Sequence, residues 1–209
     1  MTLSTRVITM MEEWMAAPLP AGDVAAYAAA YTARLGWSVA PGHGHRPRRG
    51  CTCGDRECRT SGAHPRVSWV AGVEQARVRA EFAAAPGAGV VAPTVPFDAV
   101  VLPRQFGMAV MVRLDRAGPV PCTVTDSAAT LLVQAGTGMV LHNAGGIVEV
   151  RSGPDRWVAL PPSHGVRWDT PPWHEPGGAA LTLPHARALV QPIAEVARYF
   201  GKARAEVDR

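Results

Sequence analysis

The sequence predicts an α+β domain with a mostly antiparallel central sheet, flanking helices and a metal-stapled loop. Three observations support this class: helical patterns near both ends of the chain, short apolar runs between glycines in the middle, and three of the four cysteines within eight positions. Helices grouped apart from a run of strands are typical of α+β folds, in which the strands pair antiparallel.

A short amphipathic helix is predicted within residues 1–18, ended by Pro18, and four more helices are predicted from apolar residues at helical spacing and from their end signals. Asp23 can cap a helix that extends to about Leu35, where Gly36 stops it. The other three helices are expected at 74–84, at 104–116 and within 183–200.

The expected strands are short and bounded by glycine or proline. One is predicted over 37–41, and two apolar runs suited to buried strands occupy 89–92 and 97–102. Four more strands are expected at 129–134, 138–142, 146–151 and 156–160. A Pro-rich stretch over 161–176 is predicted as a loop.

The predicted organisation has three parts. Residues 1–21 form an N-terminal amphipathic extension with Val7, Met11, Trp14 and Met15 on one side, residues 22–203 form the main domain, and residues 204–209 form a tail. The extension could dock on its own core, on another protein or on a second copy of the chain.

Membrane association and secretion are not expected. The chain has no uninterrupted apolar run of about 18 residues. Arg6, Glu12 and Glu13 stand where a secretory leader would need apolar residues. We therefore expect a cytoplasmic protein.

The cysteine cluster predicts a structural zinc site. The pattern Cys51-x-Cys53-x4-Cys58-x5-His64 supplies three thiolates and an imidazole, the ligand set of a closed tetrahedral zinc site. His43 or His45 could replace His64 as the fourth ligand. Such a site has no open coordination position, so the metal is expected to fold the loop over residues 43–66 without catalysing a reaction.

Positive charge is concentrated around this loop. Residues 43–79 contain eight arginines and three acidic residues, whereas the whole chain has a net charge of only +4. Arginine pairs bidentately with phosphate, so the patch could contact nucleic acid, but it could equally be a solvated surface loop. The candidate phosphate contacts are Arg46, Arg48, Arg49, Arg59 and Arg66.

The order of these motifs resembles that of a known family. It is similar to the N-terminal prim-pol domain of bifunctional DNA primase/polymerases, in the archaeo-eukaryotic primase superfamily, and most similar to its stand-alone actinobacterial versions. The resemblance extends over about residues 22–200. It is carried by the segments 36–41, 51–65, 87–91, 97–103 and 156–163.

The resemblance implies a primase/polymerase-like fold with a degenerate active site. Polymerases of the family hold two divalent cations with paired carboxylates on one strand and an opposed carboxylate on another, and a histidine contacts the triphosphate. In this chain Asp98 stands alone in its segment, Thr130 occupies the histidine position, and Glu149 is the candidate third carboxylate.

Three functions follow from these observations. The leading one is a catalytically degenerate prim-pol-like protein that binds nucleic acid or a nucleotide as a regulatory or accessory factor. The second is an active DNA primase/polymerase that uses Mg2+ or Mn2+ on Asp98, Glu149 and one of Asp115, Asp126 or Asp155. The third is a zinc-stabilised protein-interaction module that uses the N-terminal helix or residues 168–174.

Overall fold

The computed structural model describes residues 23–67, 70–114, 118–142, 147–174 and 179–207, with side chains as far as 200. The predicted N-terminal helix and Asp115 lie outside these residues. The described helices are α1 (Val24–Leu35), α2 (Gln75–Ala83), α3 (Arg104–Leu114) and α4 (Arg187–Val207). The strands are β1 (Ala40–Arg46), β2 (Gly50–Cys51), β3 (Ala88–Pro103), β4 (Cys122–Val124), β5 (Ala128–Gln134), β6 (Glu149–Leu160) and β7 (Arg167–Thr170).

The pairs β1–β2, β1–β3, β3–β5, β4–β5 and β4–β7 are antiparallel, so the predicted α+β class with an antiparallel middle is confirmed. The chain divides into two compact units. The first comprises Met1–Ala92, Ala159–His164 and Pro172–Leu181, and the second comprises Pro93–Val158, Gly165–Pro171 and Thr182–Arg209. Among the described residues, no helix combines the length and apolar character needed to cross a membrane.

In the first unit, α1 packs against α2, and the strand order is β2-β1-β3. Helix α1 has the predicted ends: the Asp23 carboxylate accepts the Ala26 amide at 2.9 Å, and Gly36 closes the helix with a φ of 66°. Tyr31 is fully buried between Trp37 and Trp173, and its hydroxyl donates to the Pro161 carbonyl at 2.6 Å. These contacts give the unit an aromatic core.

In the second unit, the strand order is β3-β5-β4-β7, and β6 pairs with β3. The core lies between this sheet and the helices α3 and α4. Its largest fully buried side chains are Leu102, Leu114, Leu131, Leu141, Leu189 and Ile193.

Four sequence predictions require correction. Residues 89–92 and 97–102 belong to one strand, β3. Pro93 and Pro96 do not interrupt it, because they lie between the part that pairs with β1 and the part that pairs with β5. Their missing N–H groups therefore cost no hydrogen bond to β1 or to β5. The strand predicted over 37–41 begins only at Ala40 and continues to Arg46, because it pairs with both β3 and β2.

The other two corrections lie in the second unit. Residues 138–141 form a 3-10 helix rather than a strand, because the Asp98 carboxylate captures the Gly138 amide. The two strands predicted over 146–151 and 156–160 form a single strand, β6, which continues through Gly153, where the Thr94 hydroxyl donates to the Gly153 carbonyl at 3.0 Å. The short strands β4 and β7 were not predicted, and β7 lies in the stretch expected to be a loop.

Candidate metal centre and basic hairpin

Cys51, Cys53, Cys58 and His64 converge in the first unit. Their four donor atoms all lie within 4.8 Å of one another. The His64 Nε2 atom is 3.2 Å from the Cys51 Sγ and 3.4 Å from the Cys58 Sγ. Donors around a tetrahedral zinc ion are about 3.5–3.8 Å apart, so the four atoms are close to the spacing that a metal requires. The predicted ligand group is therefore present and can hold a metal ion.

The backbone around the site explains how the ligands are brought together. Cys51 ends β2 and pairs with His45 of β1, and the Gly62 amide donates to the Cys51 sulfur at 3.4 Å. Gly62 has a φ of 72°, and a Cβ atom there would lie 2.8 Å from His45. Glycine is the residue that tolerates both conditions, so Gly62 lets the chain return to the cysteines.

Hydrogen bonding selects the correct tautomer of His64. Its Nδ1 lies 3.1 Å from the Pro65 carbonyl oxygen, which can only accept a hydrogen bond. Nδ1 therefore carries the proton, and the lone pair of Nε2 faces the sulfurs. A carbonyl partner on the second ring nitrogen is the usual support of a metal-bound histidine.

The other two histidines considered as ligands have different partners. The Nδ1 atoms of His43 and His45 lie 3.1 Å from the Thr52 hydroxyl and 2.9 Å from the Ser61 hydroxyl, respectively. The His45 ring stacks on His164, with 3.7 Å between ring centroids. His64 is thus the fourth member of the cluster, and His43 and His45 surround it.

The site favours one thiolate even without metal. Burial opposes ionisation of Cys51, but hydrogen bonds from the Cys53 and Gly62 amides, together with Cys53 and His64, lower its pKa to about 6. Burial raises the pKa of Cys58 to about 11, and the neighbouring Cys51 sulfur adds to the rise. A dication bound among the sulfurs would lower the pKa of Cys58 instead, because it stabilises all three thiolates.

The tip of the β1–β2 hairpin presents Arg46, Arg48 and Arg49 to solvent. The Arg49 amide donates to the Arg46 carbonyl at 3.0 Å, closing a turn with Pro47 and Arg48 at its centre. Arg48 has a φ of 65°, a left-handed conformation that glycine normally adopts at the second central position of a type II turn. We call residues 46–50 the arginine hairpin.

Arg59 and Arg66 are exposed on the loop that follows β2. The Arg66 Nε donates to the Gly42 carbonyl at 3.1 Å. Within the described part of the chain, no ion pair involves these two residues or the three hairpin arginines. These five exposed arginines lie on the hairpin and on the loop that carries the metal cluster, and none is paired with an acidic side chain among the described residues.

The predicted catalytic remnants have other roles. Asp98 is only 1% exposed, and its two carboxylate oxygens accept from the Gly138 amide and the Ser152 hydroxyl, both at 2.6 Å. Glu149 is exposed and accepts from the Arg151 Nε at 2.7 Å, which holds the pKa of this carboxyl below its usual value.

The described residues do not gather acidic side chains around Asp98. Among them, the Cys51, Cys53, Cys58 and His64 group is the one set of three or more His, Cys, Asp or Glu side chains close enough to share an ion. Asp126 is exposed at 4.0 Å from Arg104, and Asp155 is exposed on β6. Thr130 pairs with Val101 and Thr123 inside the sheet.

Sequence reasoning missed the partners that define these roles. Ser152 and Gly138 are 54 and 40 residues from Asp98, so no local pattern connects them. The turn at Arg48 did carry a signal, because Pro47 is a residue favoured at the first central position of a type II turn.

We predict that Asp98→Ala lowers stability, whereas Asp98→Asn has little effect. Alanine leaves the buried Gly138 amide without an acceptor, at a cost of about 1–3 kcal/mol, or about 2–10 °C in Tm for a chain of this size. Asparagine can accept from Gly138 and donate to Ser152. Thermal unfolding of both variants tests this, and equal Tm values for alanine and asparagine would contradict it.

Comparisons with known proteins gave no match to a protein-family model, to a curated protein or to a solved structure.

Proposed function

We propose that this chain is a zinc-stapled, non-catalytic protein of the prim-pol type that binds nucleic acid through the arginine hairpin, as a regulatory or accessory factor. The observation that carries the proposal is the conformation of Arg48. A non-glycine residue with φ of 65° is strained by about 1 kcal/mol, so a long cationic side chain stands where glycine would be more stable.

The charge of the hairpin supports a phosphate partner. Arg46, Arg48 and Arg49 stand within four positions and are exposed, without an ion pair among the described residues. Guanidinium groups bind phosphate oxygens bidentately and lose less hydration than lysine ammonium groups. Nucleic acid is the polyanion that engages several such groups at once.

The metal would give the hairpin its rigidity. Cys51 is the last residue of β2 and follows Arg49 by two positions, so an ion bound to its sulfur would fix the strand that ends the hairpin. Three thiolates and one imidazole favour zinc over harder divalent cations. A pre-ordered hairpin contacts phosphate without first ordering its own backbone, which improves affinity.

The environment of Asp98 supports a binding role rather than catalysis. A metal-binding carboxylate needs oxygen lone pairs that face the ion, whereas both Asp98 oxygens accept protein hydrogen bonds in a buried setting. Glu149 is likewise engaged by Arg151. Mg2+ or Mn2+ would have to displace these contacts before it could support nucleotidyl transfer.

The test is a fluorescence anisotropy titration of short single-stranded and duplex DNA with the zinc-loaded protein, at about 50 and about 200 mM salt. A parallel assay offers a primed template, labelled nucleoside triphosphates and Mn2+. Binding that weakens steeply with salt, without incorporation, is expected. Incorporation that is lost in Asp98→Asn would establish the enzyme instead, and absence of DNA binding at the lower salt would favour a protein-interaction module.

A further inference from the structure

A cavity of about 320 Å3 opens in the second unit, and no residue of the metal centre or the arginine hairpin lines it. Arg104 and Arg167 contribute its cationic part, Thr125 and Asp126 its other polar groups, and Val124 and Val166 its apolar part. Its volume is at the lower end of the range for small-molecule sites, about 300–1,000 Å3.

The strand register brings the two arginines to this cavity. The turn between β4 and β5 lies in the middle, where Thr125 accepts the Ala128 amide at 3.0 Å. On one side Pro103 pairs with Ala128, so Arg104 begins α3 beside the turn. On the other side Arg167 pairs with Val124. The two residues are 63 positions apart in the sequence but flank one hairpin.

The protein compensates the two cationic groups of the cavity only in part. The Asp126 carboxylate lies 4.0 Å from Arg104, which allows an ion pair but is too long for a hydrogen bond, and its side chain is exposed to solvent. Among the described residues, Arg167 has no ion pair. Two guanidinium groups therefore remain able to donate to one anion, next to the positive end of the α3 dipole.

The geometry points to a binding site for a small organic phosphate monoester in this cavity. Its phosphate group would be held between Arg104 and Arg167, and its organic part would lie against the remaining lining at Thr125, Gly165 and Val166. The small volume limits the ligand to about the size of a sugar phosphate. This site is independent of nucleic-acid binding at the arginine hairpin.

Calorimetric titration of the full chain with ribose 5-phosphate, inorganic phosphate and ribose tests the site. Ribose 5-phosphate is expected to bind more tightly than inorganic phosphate, because its sugar adds contacts and hydrogen bonds with the cavity lining, and ribose alone is expected not to bind. Arg104→Gln and Arg167→Gln should each weaken binding by about tenfold or more. Arg167→Lys, which keeps the charge but loses the bidentate fork, should give an intermediate loss.

Arg113→Gln is the matched control, because it removes an exposed arginine from the same helix. Thermal unfolding of each variant separates loss of binding from loss of fold. No binding of ribose 5-phosphate at millimolar concentration, or an equal loss in Arg113→Gln, would overturn the proposal. Loss of binding on neutralising the hairpin arginines would also overturn it, because the phosphate would then sit on the hairpin.

Discussion

Cys58→Ala is expected to abolish stable metal binding and to unfold the loop over residues 43–66. Residues 52–74 contain no α-helix or strand where the structure describes them, and three of the four cluster residues lie in this segment, so a metal there would supply much of its order. Ordering each residue costs about 1–2 kcal/mol of backbone entropy. Structural zinc supplies about 10–16 kcal/mol in zinc-finger peptides, enough to offset much of this cost.

The measurements are zinc content per chain and amide hydrogen exchange. We expect zinc to fall from about one ion per chain to a small fraction, and exchange over residues 43–66 to accelerate by at least about 100-fold, corresponding to about 2.7 kcal/mol. Chelation of the unmodified protein should have the same effect.

Cys122→Ala is the matched control. Cys122 is fully buried, and burial raises its pKa to about 12, so it is a neutral thiol that is not a member of the cluster. Cys58 is only half-buried, so a packing effect alone would be larger at Cys122. Retention of zinc by Cys58→Ala, or an equal loss of zinc in Cys122→Ala, would rule out the proposed metal centre.

Simultaneous replacement of Arg46, Arg48 and Arg49 by glutamine is expected to remove most nucleic-acid binding. Each phosphate contact contributes about 0.9 to the slope of log affinity against log salt. Loss of three contacts should reduce that slope by about 2–3 and weaken binding by at least about tenfold at low salt, uniformly across sequences. Anisotropy titrations at several salt concentrations measure both quantities.

A second triple variant, with glutamine at Arg77, Arg113 and Arg198, lowers the net charge equally away from the hairpin. It should retain the slope and the affinity, and an equal loss would show that binding follows net charge alone.

Arg48→Gly separates the role of the side chain from its strain. It should raise stability by up to about 1 kcal/mol while weakening binding, because glycine tolerates the positive φ.

Local signals predicted the features that depend on neighbouring residues. Asp23 and Gly36 end α1 as expected, because capping involves residues within one turn. The spacing of Cys51, Cys53, Cys58 and His64 predicted their convergence, since short intervals allow one loop to supply every ligand. The confirmed α+β class rests on the same kind of periodic pattern.

Features that depend on distant partners could not be predicted this way. Pro93 and Pro96 looked like strand breakers, but β3 changes partner between β1 and β5 at that point. The conformation at Gly138 depends on Asp98, and the cavity depends on the register that brings Arg104 beside Arg167. Whether the fold is that of the primase family remains a prediction from motif order.

One DNA titration, carried out before and after chelation of the metal at the same low salt, tests whether a metal-ordered arginine hairpin binds nucleic-acid phosphates. We expect salt-sensitive binding by the zinc-loaded protein, a marked loss after chelation, and recovery when zinc is restored. Equal binding with and without the metal, or no binding in either state, would contradict this expectation.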